Sequence, residues 1–141
     1  MITVFTNGCF DLLHAGHCRL LEWARAQGTR LVVGLNSDES VRRLKGPHRP
    51  IIPELERAEL LLALKWVDQV IIFKEDTPLE LIIAIRPDVL VKGPDYAGKR
   101  AVGQEYVESL GGKAVTPNWP TQISTSAIIA KIRDYHDYCG G

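Results

Sequence analysis

At 141 residues, with 45% apolar and 24% charged side chains, the chain has the make-up of one globular domain with a single core and is too short for two. Lysine plus arginine balance aspartate plus glutamate at 17 each, which leaves no global field to attract nucleic acid or an acidic membrane surface. No apolar run approaches the roughly 20 residues that span a bilayer, and no charged leader with a cleavage site opens the chain, so a cytoplasmic protein without nucleic-acid or membrane partners is expected.

Strand and helix signals alternate from the start. Ile2–Phe5 reads as a short buried strand. Thr6 to His17 is a polar turn carrying two histidines, His14 and His17, three apart with Gly16 between them. His17–Gln27 has apolar residues at helical spacing, with Gly28 placed as a C-terminal cap. Arg30–Leu35 predicts a second strand, and Asn36-Ser37-Asp38 offers a capping residue before a short helix, Glu39–Leu44. Lys45 to Pro50 is a loop by its Gly and Pro content, and Arg42, Arg43, Lys45, His48 and Arg49 make it a local basic cluster.

Pro53 suits the first position of a helix over Glu54–Lys65, whose buried face is expected to be Leu55, Ala58, Leu61, Leu62 and Leu64. Asp68–Phe73 predicts a third strand. Thr77-Pro78 is expected to cap and start a helix ending at Ile85, before Pro87. Val89–Val91 is a short fourth strand leading into Lys92-Gly93-Pro94-Asp95-Tyr96. A modest helix, Gln104–Leu110, and a weak strand, Lys113–Thr116, precede the rigid loop around Trp119, which could stack on a base or pack on a neighbour. Ser124-Thr125-Ser126 introduces a last helix, Ala127–Asp134, and residues 135–141 read as a flexible tail.

This alternation predicts an α/β fold: a Rossmann-like, doubly wound, five-stranded parallel sheet with helices on both faces. Ligands bind such sheets outside the carboxyl ends of the strands, where the winding reverses. That edge should gather the His14–His17 turn, Asn36–Asp38, the Lys45 loop, Lys92–Asp95 and Ser124–Ser126. The first turn of a helix has unpaired N–H groups and the positive end of the dipole, so two such helix starts beside two imidazoles suit a nucleoside triphosphate.

Other chemistries lack their motifs. The chain has no GxxxxGK[ST], no GxGxxG and no GxSxG, which argues against P-loop enzymes, nicotinamide dehydrogenases and serine hydrolases. Cys9, Cys18 and Cys139 form no CxxC pair and read as reduced thiols. Histidines at i and i+3 with an intervening glycine fit structural zinc poorly, so no metal ligand is assigned. Nucleotidyl transfer suits the set that remains, because displacement at an α-phosphorus is catalysed mainly by positioning and electrostatic stabilisation.

Thr6-Asn7-Gly8-Cys9-Phe10-Asp11 through His17 resembles the GxFDxxHxGH signature of the cytidylyltransferase-like nucleotidyltransferases, and Ser124–Ile129 resembles that family's ISTT-type helix start. Gly34–Asp38, Arg43–Gly46, Arg49-Pro50, Glu75–Pro78 and Arg86–Gly93 look like the adenylyltransferase domain of bacterial ADP-heptose synthases, in a free-standing form. The resemblance implies a nucleotidyltransferase of the HUP type that uses ATP and D-glycero-β-D-manno-heptose 1-phosphate. Mg²⁺ is implied as the ATP counter-ion, and a homo-oligomer, a dimer, is implied by precedent. It implies catalytic roles for His14, His17 and Lys45. It implies nucleotide contacts from Thr6, Asn7, Gly8, Cys9, Phe10, Gly16, Lys92, Asp95, Ser124, Thr125 and Ser126. Sugar-phosphate contacts are implied for Asp11, Asn36, Asp38, Lys45 and Arg49, although Asp11 could instead orient the turn and Asp38 could instead cap its helix. Pro94 stands where a second glycine is expected, and it removes one backbone donor there. The alternatives are a cytidylyltransferase acting on glycerol 3-phosphate or a similar polyol phosphate, and a nucleotide-binding module without catalysis.

Overall fold

The computed structural model describes residues 1–96, 98–120 and 123–138. In chain order the elements are β1 (Thr3–Gly8), α1 (Ala15–Arg25), β2 (Arg30–Asn36), α2 (Asp38–Lys45), α3 (Glu54–Leu62), β3 (Gln69–Phe73), α4 (Leu79–Ile85), β4 (Val89–Val91), α5 (Gln104–Ser109), β5 (Lys113–Val115) and α6 (Thr125–Tyr138), with a 3₁₀ turn at Pro94–Tyr96. All five strands are parallel, in the order β3-β2-β1-β4-β5. The winding reverses between β1 and β4, and that reversal opens the crevice at their carboxyl ends.

Near-continuous apolar strands mean burial on both faces, and the residues alternate accordingly. Val4, Leu31, Val33, Val89 and Val91 face one core with Leu21 and Ala24 of α1 and Leu61 of α3. Phe5, Val32 and Leu90 face the other, with Ile82 of α4 and Val107 of α5. β1 runs further than its apolar run: Thr6, Asn7 and Gly8 stay paired to Val33, Gly34 and Leu35. The strand therefore carries polar side chains up to the crevice.

Four local expectations are corrected. Gly28 is not the cap of α1, which closes at Ala26; a Cβ at Gly28 would lie 2.7 Å from both the Ile2 carbonyl and Val4, so the glycine serves close packing on β1. Thr77 does not cap α4, whose N-cap is Pro78 without a side-chain bond. On α3, Leu55 and Leu62 are 74% and 53% exposed, and Arg57 takes the inner face beside Leu61. α6 starts at Thr125 and runs to Tyr138, so residues 135–138 are helix; Cys139 and the rest of the expected tail lie outside the described residues. Cys9 and Cys18 are free thiols. Among the described residues no helix is long and apolar enough to cross a membrane.

Candidate active site

The start of α1 is capped by its own histidines. His14 is the N-cap residue, in extended backbone, and its Nδ1 accepts from the N–H groups of Gly16 (3.1 Å) and His17 (3.4 Å). His17 closes the box: its Nδ1 accepts from the His14 N–H at 3.2 Å. A backbone N–H can only donate, so both Nδ1 atoms must be unprotonated acceptors and each neutral ring carries its proton on Nε2. The rings stack at 3.7 Å between centroids. Gly16 suits this arrangement, since a Cβ there would sit 3.0 Å from the His14 ring and crowd it.

Burial lowers the pKa of both histidines, and His17 falls from 6.5 to about 4 with further lowering by its neighbour His14, against an opposing pull from Asp11. Both rings therefore stay neutral donors at pH 7. An unfolded chain takes up protons near pH 6.5 that the folded His17 refuses until about pH 4, so folding stability rises with pH across that window and is lost as pH falls through it. Denaturant melts of the wild type between pH 7 and 4 should show this slope, at most about 1.4 kcal/mol per pH unit per histidine. The slope should shrink in His17→Asn. An identical slope in that variant would remove His17 from the linkage.

Asp11 ties three segments together. Its carboxylate accepts from Arg49 Nε (2.9 Å) and from the N–H groups of Ile51 (2.8 Å) and Ile52 (2.9 Å), and its carbonyl accepts from the Thr125 hydroxyl at 2.6 Å. Burial works to raise this carboxyl, but the two amides and the guanidinium outweigh it and hold its pKa below the ordinary carboxylate value. Phe10 and Leu12, on either side, have φ of 47° and 52°, a left-handed conformation that non-glycine residues adopt only when their surroundings enforce it. The Asp11 bonds supply that enforcement. Asp11 thus orients the turn and the loop after α2, with both of its carboxylate oxygens engaged in these bonds.

A pocket of about 560 Å³ opens between these parts. Asn7, Gly8, Cys9, Phe10, Asp11, His14, Gly16 and His17 line it from the first turn, Lys45 from the end of α2 and Arg49 from the loop after it, Asp95 from the β4 side, and Ser124, Thr125 and Ser126 from the start of α6. At that start the Ser124 hydroxyl caps the Ala127 N–H at 3.0 Å. With Thr125 bonded to Asp11, Ser126 keeps the hydroxyl that is not engaged in either of these contacts. The sequence reading did not place Arg19, Tyr96 or Ile123 here, yet they complete the wall. Trp119 both lines the pocket and packs edge-on against Trp23, 6.0 Å between ring centroids.

Thr6, Asn36, Asp38 and Lys92 were expected at the ligand and do not line the pocket. Thr6 is buried in β1. Asn36 bonds Ser40 through its side chain at 2.9 Å, and Asp38 pairs with Arg57 at 2.7 Å. Arg57, 1% exposed, also donates to the carbonyls of Cys9 (2.7 Å), Asn36 (2.8 Å) and Ile52 (2.7 Å). It pins the ends of β1 and β2 to the loop after α2. The basic cluster divides similarly: Arg43 is spent on Asp76 and Glu39, and Lys45 remains exposed on the pocket wall.

Burial raises the Cys9 thiol despite Lys45, Arg57 and Arg49 nearby, so it remains protonated and is no nucleophile. The donor set does not suit a protein-held cation. Of the carboxylates lining the pocket, Asp11 is held by Arg49, Ile51 and Ile52 and Asp95 stands alone, and the described residues contain no group of three or more His, Cys, Asp or Glu able to hold a metal.

An anion entering this pocket meets two helix N-termini, two imidazole N–H groups and a lysine, at the switch point of a parallel sheet. Sheet and site together are of the Rossmann-like nucleotidyltransferase type. The chain belongs to the cytidylyltransferase-like family, which matches residues 5–131. It is 55% identical over 134 residues to the bifunctional protein HldE of Syntrophotalea carbinolica, covering 95% of this chain and 27% of that protein. To the HldE of Geotalea uraniireducens it is 60% identical over 130 residues, covering 92% and 26%. The chain thus spans about a quarter of the length of these relatives. Among solved structures, the lipopolysaccharide core biosynthesis protein of Thermoplasma volcanium superposes with a TM-score of 0.73 at 33% identity, covering 86% of this chain and 99% of that one. Pantothenate synthetase of Thermus thermophilus, at 19% identity and a TM-score of 0.58, covering 88% of this chain and 57% of its own, shares the fold.

Proposed function

We propose that the chain is a sugar-phosphate adenylyltransferase that transfers the adenylyl group of ATP to D-glycero-β-D-manno-heptose 1-phosphate. The observation that carries this reading is the pair of stacked imidazoles locked as Nε2–H donors and facing the start of α6 across one pocket. A phosphate oxygen of the sugar attacks the α-phosphorus, a bond forms there, and the bond to the bridging oxygen breaks to release pyrophosphate. No proton need be removed from an ionised phosphate, and neutral imidazoles act by donating hydrogen bonds as charge shifts onto the leaving group. Lys45 offsets the repulsion between the two anions, and the Ser126 hydroxyl and the first turn of α6 hold the outer phosphates. Mg²⁺ would be held as the counter-ion of the ATP phosphates, where it would neutralise part of their charge.

The heptose assignment rests on the Arg43–Gly46, Glu75–Pro78 and Arg86–Gly93 motifs and on likeness to HldE proteins. The assay is pyrophosphate release with ATP or CTP against a panel of sugar and polyol phosphates. ATP with heptose 1-phosphate should be the fastest pair. Faster release from CTP with glycerol 3-phosphate would replace this reading with the cytidylyltransferase one, and no release from any pair would leave a binding module. A homodimer is the proposed assembly.

A further inference from the structure

Lys92 is 7% exposed at the end of β4 and does not line the pocket. Its ammonium donates to Asn7 Oδ1 on the neighbouring strand β1 and lies 5.8 Å from the centre of the Tyr96 ring. Among the described residues no carboxylate offsets its burial, which brings its pKa down to about 8. A buried lysine without an acidic partner is costly, so its placement against one amide oxygen calls for a reason.

Asn7 supplies it. A lysine ammonium has donors and no acceptor, so the amide atom facing it must be the oxygen. The nitrogen Nδ2 is then on the other side of the amide. The described residues give it no partner, and among them no buried side-chain polar atom is left unsatisfied, so Nδ2 is open to the pocket that Asn7 lines. Without Lys92 the amide could flip and present either atom. With it, Asn7 can only donate.

We infer that Lys92 is a positioning residue that fixes Asn7 as a donor-only reader, set to bond an acceptor atom of the nucleoside part of the nucleotide. The assignment to the nucleoside follows from topology and rests on the proposed nucleotidyl transfer. Lys45 and Arg49 enter the pocket from the β2 side of β1, whereas Asn7 shares the β1–β4 crevice with Gly93, Pro94, Asp95 and Tyr96.

The test is equilibrium binding of MgATP and MgCTP by calorimetry, with thermal melting to verify that each variant is folded. Lys92→Met keeps the unbranched side chain up to its last atom and removes the buried charge, so it should fold, and it should weaken binding of the preferred nucleotide about 10-fold. Asn7→Ala should weaken it to a similar extent. Lys92→Gln, whose amide can still donate to Oδ1, should stay within about 3-fold of wild type. The decisive comparison is Lys92→Met in the Asn7→Ala background, where no further loss is expected. A full additional loss there would mean that Lys92 acts other than through Asn7, and undiminished binding in either single variant would equally overturn the inference while leaving nucleotide binding intact. A wild type that binds neither nucleotide would overturn the proposed function, and this inference with it.

Discussion

Replacing His14 by asparagine is expected to leave the protein folded and to lower turnover by about 10²–10³-fold, the usual cost of one transition-state donor. The reason lies in the two jobs of the ring. Nδ1 caps α1 by accepting from Gly16 and His17, and asparagine is among the best N-cap residues, with an oxygen at about the reach of Nδ1. Nε2 projects further, and asparagine has nothing there. His14→Ala loses both jobs, so it should match His14→Asn in turnover and fall below it in stability by about 1 kcal/mol. Pyrophosphate release and thermal melts on both variants separate the roles. Near wild-type turnover in His14→Asn would confine the ring to capping.

The largest expected loss of stability comes from Arg57→Leu, about 3–5 kcal/mol in denaturant melts. The side chain is fully buried and bonds three carbonyls and one carboxylate. Leucine would leave the oxygens of Cys9, Asn36 and Ile52 without that donor inside the protein. Arg57→Lys should recover little, because one ammonium cannot reproduce a planar fork that reaches three separated segments. A loss below about 1 kcal/mol in Arg57→Leu would mean that the loop after α2 does not depend on this clamp.

These two residues also mark what could be read from the chain beforehand. The parallel sheet was legible because its strands are short apolar runs, and His14 and His17 were legible as a pair because two imidazoles three apart at a helix start are aimed at one place, although the capping of α1 that they also perform was not. Arg57 was missed because an arginine in a leucine-rich helix looks like a solvent-facing charge, although it lies four residues before the buried Leu61, on the same face. The same blindness to partners affected Asn36, Asp38 and Arg49. Each is a polar group near the right edge of the sheet, and each proved to be bonded to another side chain. Sequence order places residues on an edge; it does not say which of them are already occupied by one another.

The bonds of Asp11 carry a consequence for how the protein is made. Its partners lie 38, 40, 41 and 114 residues further along the chain. The last of them, Thr125, belongs to the final helix. During synthesis β1 and its histidines emerge before α6, and the turn that holds them gains its last anchor only after the 114 further residues to Thr125 have followed. Long-range closures of this kind come late in folding because the entropy of the intervening chain must be given up first. The turn is therefore made well before it can be fully fastened, so a chain cut short before α6 would carry both histidines without the fastening that Thr125 provides.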